Sequence, residues 1–188
     1  DERIANGATV DMPRSYLSTE PAEMRAMEVN FDTVLQFRSR MMTLEKNGHK
    51  PDKAEIIVLG GTFSTYPRSY QEEFIRDIYY AANTYFDYSE GVPRDRYSIE
   101  LEQQRNESAS CHIVGITLET RPDQINKAEI DRLRYYGCTR VQLGIQHTNN
   151  EILDIINRQH HVEHSIKAIK LLKEHAFKVD IHIMPDLP

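Results

Sequence analysis

The sequence predicts an α/β fold, a partial TIM-like (βα) barrel with parallel strands and outer helices. Three observations predict it. Short runs rich in β-branched residues occur four times, stretches with helical spacing of apolar residues lie between them, and the two kinds of segment alternate along the chain. Such alternation is typical of parallel strands joined by right-handed helical crossovers. Four strands are too few to close a barrel, so we expect an open, partial one.

The predicted strands are almost continuously apolar or alternate only weakly, which indicates burial on both faces. They cover residues 55–59, 112–118, 140–145 and 178–183. The predicted helices cover residues 20–48, 70–85, 126–136, 151–156 and 162–176. Pro21 suits a helix start, Asn126 suits a helix cap, and Gly137 suits a helix stop.

The composition is that of an ordinary globular domain. Hydrophobic residues make up 39% of the 188 residues, charged residues 28%, and the net charge is −6. No apolar run approaches the roughly 20 residues that cross a bilayer, so we expect a cytoplasmic protein without a membrane partner. The negative charge does not favour nucleic-acid binding by this chain alone, because phosphate binders are usually basic. Cys111 and Cys138 are interpreted as buried thiols, and no metal ligands are expected here.

Residues 87–111 interrupt the alternation of strands and helices. The stretch is polar, and we expect a surface insertion whose second half is partly helical. Glu100, Glu102 and Glu107 are interpreted as a solvated acidic face. The four tyrosines within residues 79–88 either stack on nucleobases or, as we favour, pack against the insertion. The three histidines within residues 160–164 either bind a metal or, as we favour, lie in an exposed loop and helix start.

Polar or glycine-rich residues follow each predicted strand, and in parallel barrels these strand ends form the binding site. Gly60 and Gly61 leave the backbone open to a ligand, or form a tight turn. Glu119 accepts two hydrogen bonds from a diol or an ammonium group, or pairs with Arg121. Gln146 suits a ribose or a carboxylate, or is a surface amide. Together the strand ends predict a pocket for a polar ligand.

Four motifs carry a family resemblance. In this order and at these spacings, GGTFST, GITLETRPD, YGCTRVQLGIQ and HIMPDLP closely resemble the radical S-adenosylmethionine (radical SAM) domain of the catalytic subunit of Elongator. That family modifies the wobble uridine of tRNA. The resemblance runs from about Met12 to Pro188, interrupted by the 87–111 insertion, and implies a partial barrel of the radical SAM type.

The resemblance also implies cofactor-binding residues. The Gly60-Gly61-Thr62 loop would contact the methionine amino group of S-adenosylmethionine, although the wider superfamily often has Glu where Thr62 stands. Glu119 and Gln146 would contact the ribose and methionyl parts, with Arg121 and His182 as further cofactor-binding residues. The stretch Asn157-Arg158-Gln159-His160 resembles the family's Asn-Arg-Gly-His. This implies that Arg158 meets an RNA phosphate; the alternative is a solvated charge.

The family's 4Fe–4S cluster is held by three clustered cysteines, which would lie N-terminal to Asp1. Its acetyltransferase domain would follow Pro188. Cys111 and Cys138 precede strands, away from the strand ends that form the site, so neither substitutes for a cluster ligand. We therefore interpret residues 1–188 as a radical SAM domain fragment that is inactive without the upstream cysteines.

For the full-length parent, the resemblance implies a tRNA uridine(34) acetyltransferase or carboxymethyltransferase that uses acetyl-CoA to modify C5 of the wobble uridine. Its partners would be tRNA and, in a eukaryote, other Elongator-type subunits; a homodimer is an open alternative. Two other functions also stay open. One is a non-catalytic tRNA-binding or assembly scaffold, and the other is a radical SAM enzyme of the coproporphyrinogen-oxidase type, which has similar strand ends.

Overall fold

In a computed structural model, residues 18–87 and 94–187 are described and contain a four-stranded parallel sheet. Its strands are β1 (Lys53–Val58), β2 (His112–Thr120), β3 (Cys138–Gln146) and β4 (Lys178–Ile183), in the spatial order β1-β2-β3-β4. The helices are α1 (Pro21–Glu28), α2 (Thr33–Lys46), α3 (Arg68–Asn83), α4 (Ile99–Asn106), α5 (Lys127–Tyr135), α6 (Asn150–Ile155) and α7 (Val162–Glu174). The predicted α/β class is confirmed.

One face of the sheet is covered by helices. Ile116 and Leu118 of β2 and Val141 and Leu143 of β3 are at most 1% exposed and belong to one core cluster. The helical members of that cluster come from α3, α4, α5 and α7 and include Ile75, Ile78, Ile99, Ile130, Leu133 and Leu172. Burying each such side chain stabilises the fold by about 1.5–3 kcal/mol, so this layer fixes the sheet.

The alternate residues of the same strands point to the opposite face, because side chains alternate along a strand. Ile57 on this face is 54% exposed. The register pairs Ile57 with Thr117, and Glu119 with Gln142, so these side chains share the open face. Helices outside and an open inner face are the arrangement expected of a partial barrel.

The single helix predicted over residues 20–48 is wrong, because the chain turns between α1 and α2. Asn30 and Phe31 have positive φ values of 51° and 60°. The Asp32 side chain then accepts a hydrogen bond of 2.8 Å from the Leu35 amide and starts α2. An aspartate in this position favours a new helix start over continuation of the old helix.

The ends of α5 agree with the sequence prediction. The Asn126 side chain accepts a hydrogen bond of 3.0 Å from the Glu129 amide, and Gly137 follows the helix with a φ of 73°. None of the helices in the described ranges has the length and apolar composition needed to cross a bilayer.

The segment after α3 is more closely packed than the sequence indicated. Residues 88–93 of the predicted insertion lie outside the described ranges, and the insertion itself stays a prediction. Glu102 of α4 is fully buried, so its interpretation as part of a solvated acidic face is wrong. Its carboxylate accepts hydrogen bonds from Arg94 at 2.6 and 2.7 Å, and from Asn83 at 2.8 Å. These partners stabilise a charge that burial would otherwise disfavour.

The tyrosines near the end of α3 are core residues. Tyr79, Tyr80 and Tyr85 are 7%, 4% and 6% exposed, and the Tyr80 hydroxyl donates to the Arg94 carbonyl at 2.7 Å. Packing against the predicted insertion is therefore confirmed for Tyr79 and Tyr80, which contact Gln103 and Arg94. Tyr85 instead packs against α2, where its hydroxyl donates to the Glu45 carboxylate at 2.9 Å. Burial of all three rings argues against base stacking. Tyr88 lies outside the described residues.

Candidate cofactor site

The loop after β1 adopts a backbone conformation that favours glycine. Gly60 and Gly61 have φ values of 141° and 88°, and a Cβ added to either would meet no described atom within 4 Å. The Thr62 carbonyl closes the following turn by accepting hydrogen bonds from the Thr65 amide and hydroxyl, at 3.1 and 2.7 Å. The loop therefore combines a fixed backbone with open space beside it. Its role in cofactor binding stays a prediction.

Phe63 and Ser64 hold this loop against its neighbours. The Phe63 side chain is 5% exposed and lies in the main core. The Ser64 hydroxyl hydrogen-bonds with the Thr120 hydroxyl at 2.9 Å and donates to the Glu129 carboxylate at 2.6 Å. These contacts join the ends of β1 and β2 to the first turn of α5, so the strand ends form one continuous rim.

Glu119 and His182 lie on strands that are not neighbours, yet their side chains meet across β3. Glu119 Oε1 and His182 Nδ1 are 3.5 Å apart. Between them β3 contributes Gly144, which pairs with His182 in the sheet register. A Cβ on Gly144 would lie 2.7 Å from Arg158 Nη2 and 3.2 Å from Gln146 Nε2. The missing side chain at Gly144 thus allows four polar side chains to converge.

Arg158 is part of this convergence. Its Nη2 donates to the Gly144 carbonyl at 2.9 Å, while its buried Nε has no hydrogen-bond partner among the described residues. Burial lowers the pKa of the guanidinium, as does the neighbouring charge of Arg121, whereas Asp123 and Glu119 act in the opposite direction. Arg158 is thus partly buried and hydrogen-bonded, unlike a fully solvated charge. The predicted contact of Arg158 with an RNA phosphate stays a prediction.

Arg121 lies beside Arg158 and is held by Asp123. Its Nε donates to Asp123 Oδ1 at 2.9 Å, and its Nη2 donates to the Arg158 carbonyl at 3.2 Å. His160, which we expected in an exposed loop, is 2% exposed, with Nδ1 4.0 Å from Asp123 Oδ1. Arg121 therefore positions the segment that carries Arg158. A direct contact of Arg121 with the cofactor stays a prediction.

Sequence reasoning missed Gln142. Its Oε1 is buried and has no hydrogen-bond partner within residues 18–87 and 94–187. The register pairs Gln142 with Glu119 on one side and with Asp180 on the other. The available signal was the two-residue period of β3, which places Gln142 on the same face as Gly144.

The two cysteines lie at the opposite edge of the sheet. Cys138 begins β3 and Cys111 immediately precedes β2, and both are buried. Burial raises the pKa of the Cys111 thiol to about 11 and that of the Cys138 thiol to about 12. Cluster ligands are thiolates, which burial disfavours at both positions. Across the described ranges, no group of three or more His, Cys, Asp or Glu residues is placed to hold a metal ion.

The rim at the C-terminal ends of the strands offers complementary groups at close range. The Glu119 carboxylate accepts hydrogen bonds, the Arg158 guanidinium offers an unused N–H, and the Gln146 amide does both. Gly60 and Gly61 add an accessible backbone. A ligand that carries an ammonium group, a carboxylate and hydroxyls fits this set, and S-adenosylmethionine carries all three.

Comparison with known families assigns this chain to a superfamily. The family model described as Radical SAM superfamily matches residues 30–187. This chain belongs to the radical SAM superfamily. Membership implies S-adenosylmethionine and a 4Fe–4S cluster as the family's cofactors. The rim residues fit S-adenosylmethionine, whereas the described residues contain no ligand set for the cluster.

Two curated proteins are similar to this radical SAM chain over almost its whole length. It is 43% identical over 178 residues to a tRNA uridine(34) acetyltransferase of Methanocaldococcus infernus, covering 95% of this chain and 32% of the relative. It is 38% identical over 175 residues to Elongator complex protein 3 of Homo sapiens, covering 93% and 30%. The chain thus spans about a third of the length of the curated relatives it matches.

A solved structure gives the same result. The radical SAM chain matches the archaeal Methanocaldococcus infernus Elp3, solved with an N-terminal deletion, at a TM-score of 0.79 and 42% identity. The match covers 87% of this chain and 36% of that chain. It confirms both the partial barrel and the resemblance to the catalytic subunit of Elongator.

Proposed function

We propose that the full-length protein containing this chain is a tRNA uridine(34) acetyltransferase and that this chain supplies its S-adenosylmethionine pocket. One observation carries the proposal: Glu119, Gln146, Arg158 and His182 converge around Gly144, at the same edge of the sheet as the open glycine loop after β1. The relatives named above supply the reaction class, because they are 43% and 38% identical over almost the whole chain.

Each group of the rim has a partner on the cofactor. The Gly60-Gly61-Thr62 loop binds the methionyl ammonium through the backbone carbonyls of Gly60 and Gly61. Arg158 binds the methionyl carboxylate, because its buried Nε has no hydrogen-bond partner among the described residues and requires an acceptor. Glu119 accepts hydrogen bonds from the ribose hydroxyls and is oriented by His182, while the Gln146 amide bridges the two parts.

In the proposed reaction, the residues of this chain orient the cofactor and do not transfer protons. When bound, the cluster and S-adenosylmethionine supply a carbon-centred radical. The chain's own residues bind the cofactor in one pose and orient its reactive end. No residue of this chain acts as a general acid or base in this proposal. Acetyl-CoA is the donor, and C5 of the wobble uridine in tRNA is the acceptor.

Anaerobic reconstitution of the full-length protein tests the proposal. With a cluster, S-adenosylmethionine, acetyl-CoA and tRNA, we expect 5′-deoxyadenosine and a tRNA product that carries an acetyl-derived group on the wobble uridine, both detected by mass spectrometry. Omission of acetyl-CoA should abolish the tRNA product. Glu119→Gln and Arg158→Gln should weaken S-adenosylmethionine binding by about tenfold or more, because each removes a charge-assisted hydrogen bond.

The alternatives predict different results. A non-catalytic scaffold would bind tRNA and form no 5′-deoxyadenosine with an intact cluster. An enzyme of the coproporphyrinogen-oxidase type would form 5′-deoxyadenosine but leave tRNA unmodified. Either result would contradict the proposed function.

A further inference from the structure

Two tyrosine rings beside the cofactor loop are exposed, unlike the tyrosines at the other end of α3. Tyr66 and Tyr70 are each 45% exposed, and their ring centroids lie 5.3 Å apart. Tyr66 follows the 3-10 turn after Gly61, and Tyr70 lies in the first turn of α3. The helix begins at the C-terminal edge of the sheet, so both rings belong to the same edge as the cofactor rim.

The two rings stand on a rigid aromatic base. Tyr70 stacks on Phe74 at 6.0 Å between centroids, and Tyr66 packs on the buried Phe63 at 6.3 Å. Phe63 and Phe74 are 5.8 Å apart and join the main core. The buried Gln71 side chain donates to the Tyr66 carbonyl at 2.7 Å. The rings are thus held in place before any ligand arrives.

Tyr66 and Tyr70 leave ring surface open to solvent in a fixed orientation, whereas Tyr79 and Tyr80 are buried. An exposed ring face stacks well on a nucleobase, and base–aromatic stacking is how proteins bind unpaired RNA bases. Arg68 is exposed between the two tyrosines in sequence and supplies a positive charge for the backbone of such a strand.

We propose that Tyr66 and Tyr70 form a stacking platform for unpaired bases of the RNA substrate, next to the base that enters the cofactor pocket. The inference rests on the proposed function. A base that reacts in a pocket has to leave its stack, and its neighbours then lose a stacking partner. Two ordered rings at the rim replace that partner. The loop from Gly60 to Tyr66 connects the pocket to the platform along the chain, and in this proposal one RNA loop contacts both.

Binding of a tRNA anticodon stem-loop to the full-length protein tests the platform. Fluorescence anisotropy gives the affinity, and 2-aminopurine placed next to the wobble position reports stacking through its quenching. Tyr66→Ala and Tyr70→Ala should each weaken binding about 5- to 30-fold and relieve the quenching. Tyr66→Phe and Tyr70→Phe should keep wild-type affinity and quenching, because the ring face is retained.

Phe31→Ala is the matched control. Phe31 is 59% exposed in the turn between α1 and α2, so the substitution removes an exposed ring at another site. It should leave affinity and quenching unchanged.

Three outcomes would overturn the platform. Wild-type affinity in the alanine variants, from a protein that still modifies tRNA, would refute the platform and leave the proposed function standing. Equal losses in the phenylalanine variants would show that the ring face is not the determinant. No binding of the stem-loop by the wild-type protein would also overturn the platform, whereas the proposed function stands or falls separately on product formation with full-length tRNA.

Discussion

Leu118 and Glu119 are neighbours on β2, yet they belong to regions with opposite properties. Leu118 is 1% exposed in the layer between sheet and helices. Glu119 points to the open face, where its carboxylate lies 3.5 Å from His182. The covered face is apolar and closely packed. The open face carries charges and the Gln142 Oε1 atom, which has no hydrogen-bond partner in the described part of the chain. One strand therefore supports the fold with one set of residues and binds a ligand with the other.

The largest loss of stability is expected from a substitution on the covered face. Val141→Asp places a charge at a position that is 0% exposed and should cost about 5 kcal/mol or more, comparable with the whole stability of a domain. Circular dichroism of the full-length variant should show loss of cooperative unfolding. Val141→Thr keeps the shape and should remain folded with a lower melting temperature. A folded Val141→Asp protein would contradict the assignment of β3 to the core.

Substitutions at two glycines compare the edge of the sheet where the strands end, near Gly61, with the edge where they begin, near Gly137. Gly61→Ala and Gly137→Ala both force a Cβ into a backbone with positive φ, at about 1–2 kcal/mol. A Cβ on Gly137 would also collide with the Tyr79 hydroxyl, whereas one on Gly61 meets open space. Denaturant unfolding should therefore show the larger loss of stability for Gly137→Ala, and calorimetry should show weaker S-adenosylmethionine binding only for Gly61→Ala. A larger loss of stability for Gly61→Ala, or weaker S-adenosylmethionine binding for Gly137→Ala, would contradict the assignment of binding to one edge of the sheet and packing to the other.

The smallest loss of stability is expected from breaking the ion pair between Arg121 and Asp123. Burial on its own would raise the pKa of Asp123, but the hydrogen bond and charge of Arg121 keep it below its usual value. A lowered pKa gives stability that is present above the pKa of the unfolded chain, about 3.9, and is lost as pH falls through the folded value. Because the pair is partly exposed, Arg121→Gln should cost only about 0.5–1 kcal/mol at neutral pH.

Denaturant titrations of wild type and Arg121→Gln at several pH values measure this effect. The difference in unfolding free energy should be constant between about pH 5 and 7 and should shrink below about pH 4. A difference that persists in acid would show that Arg121 acts through packing instead of through Asp123.

Local sequence signals predicted the strands and the strand-end residues, since the period of apolar residues and the position after a strand are both visible in the chain. The burial of Glu102 was not predictable in this way, because its partners Arg94 and Asn83 come from other segments. The position of Arg158 likewise depends on a long-range contact with Gly144. By contrast, the break at Asp32 had a visible capping signal that the helical spacing of its neighbours obscured.

The most direct test of the shared pocket is S-adenosylmethionine binding to the full-length reconstituted protein, measured by isothermal titration for wild type, Glu119→Gln and Glu174→Gln. Glu174 ends α7 at the far edge and is exposed, so it controls for the loss of one charge. We expect about tenfold weaker binding for Glu119→Gln with an unchanged melting temperature, and wild-type affinity for Glu174→Gln. Equal affinity in all three proteins would contradict a pocket built from the strand ends.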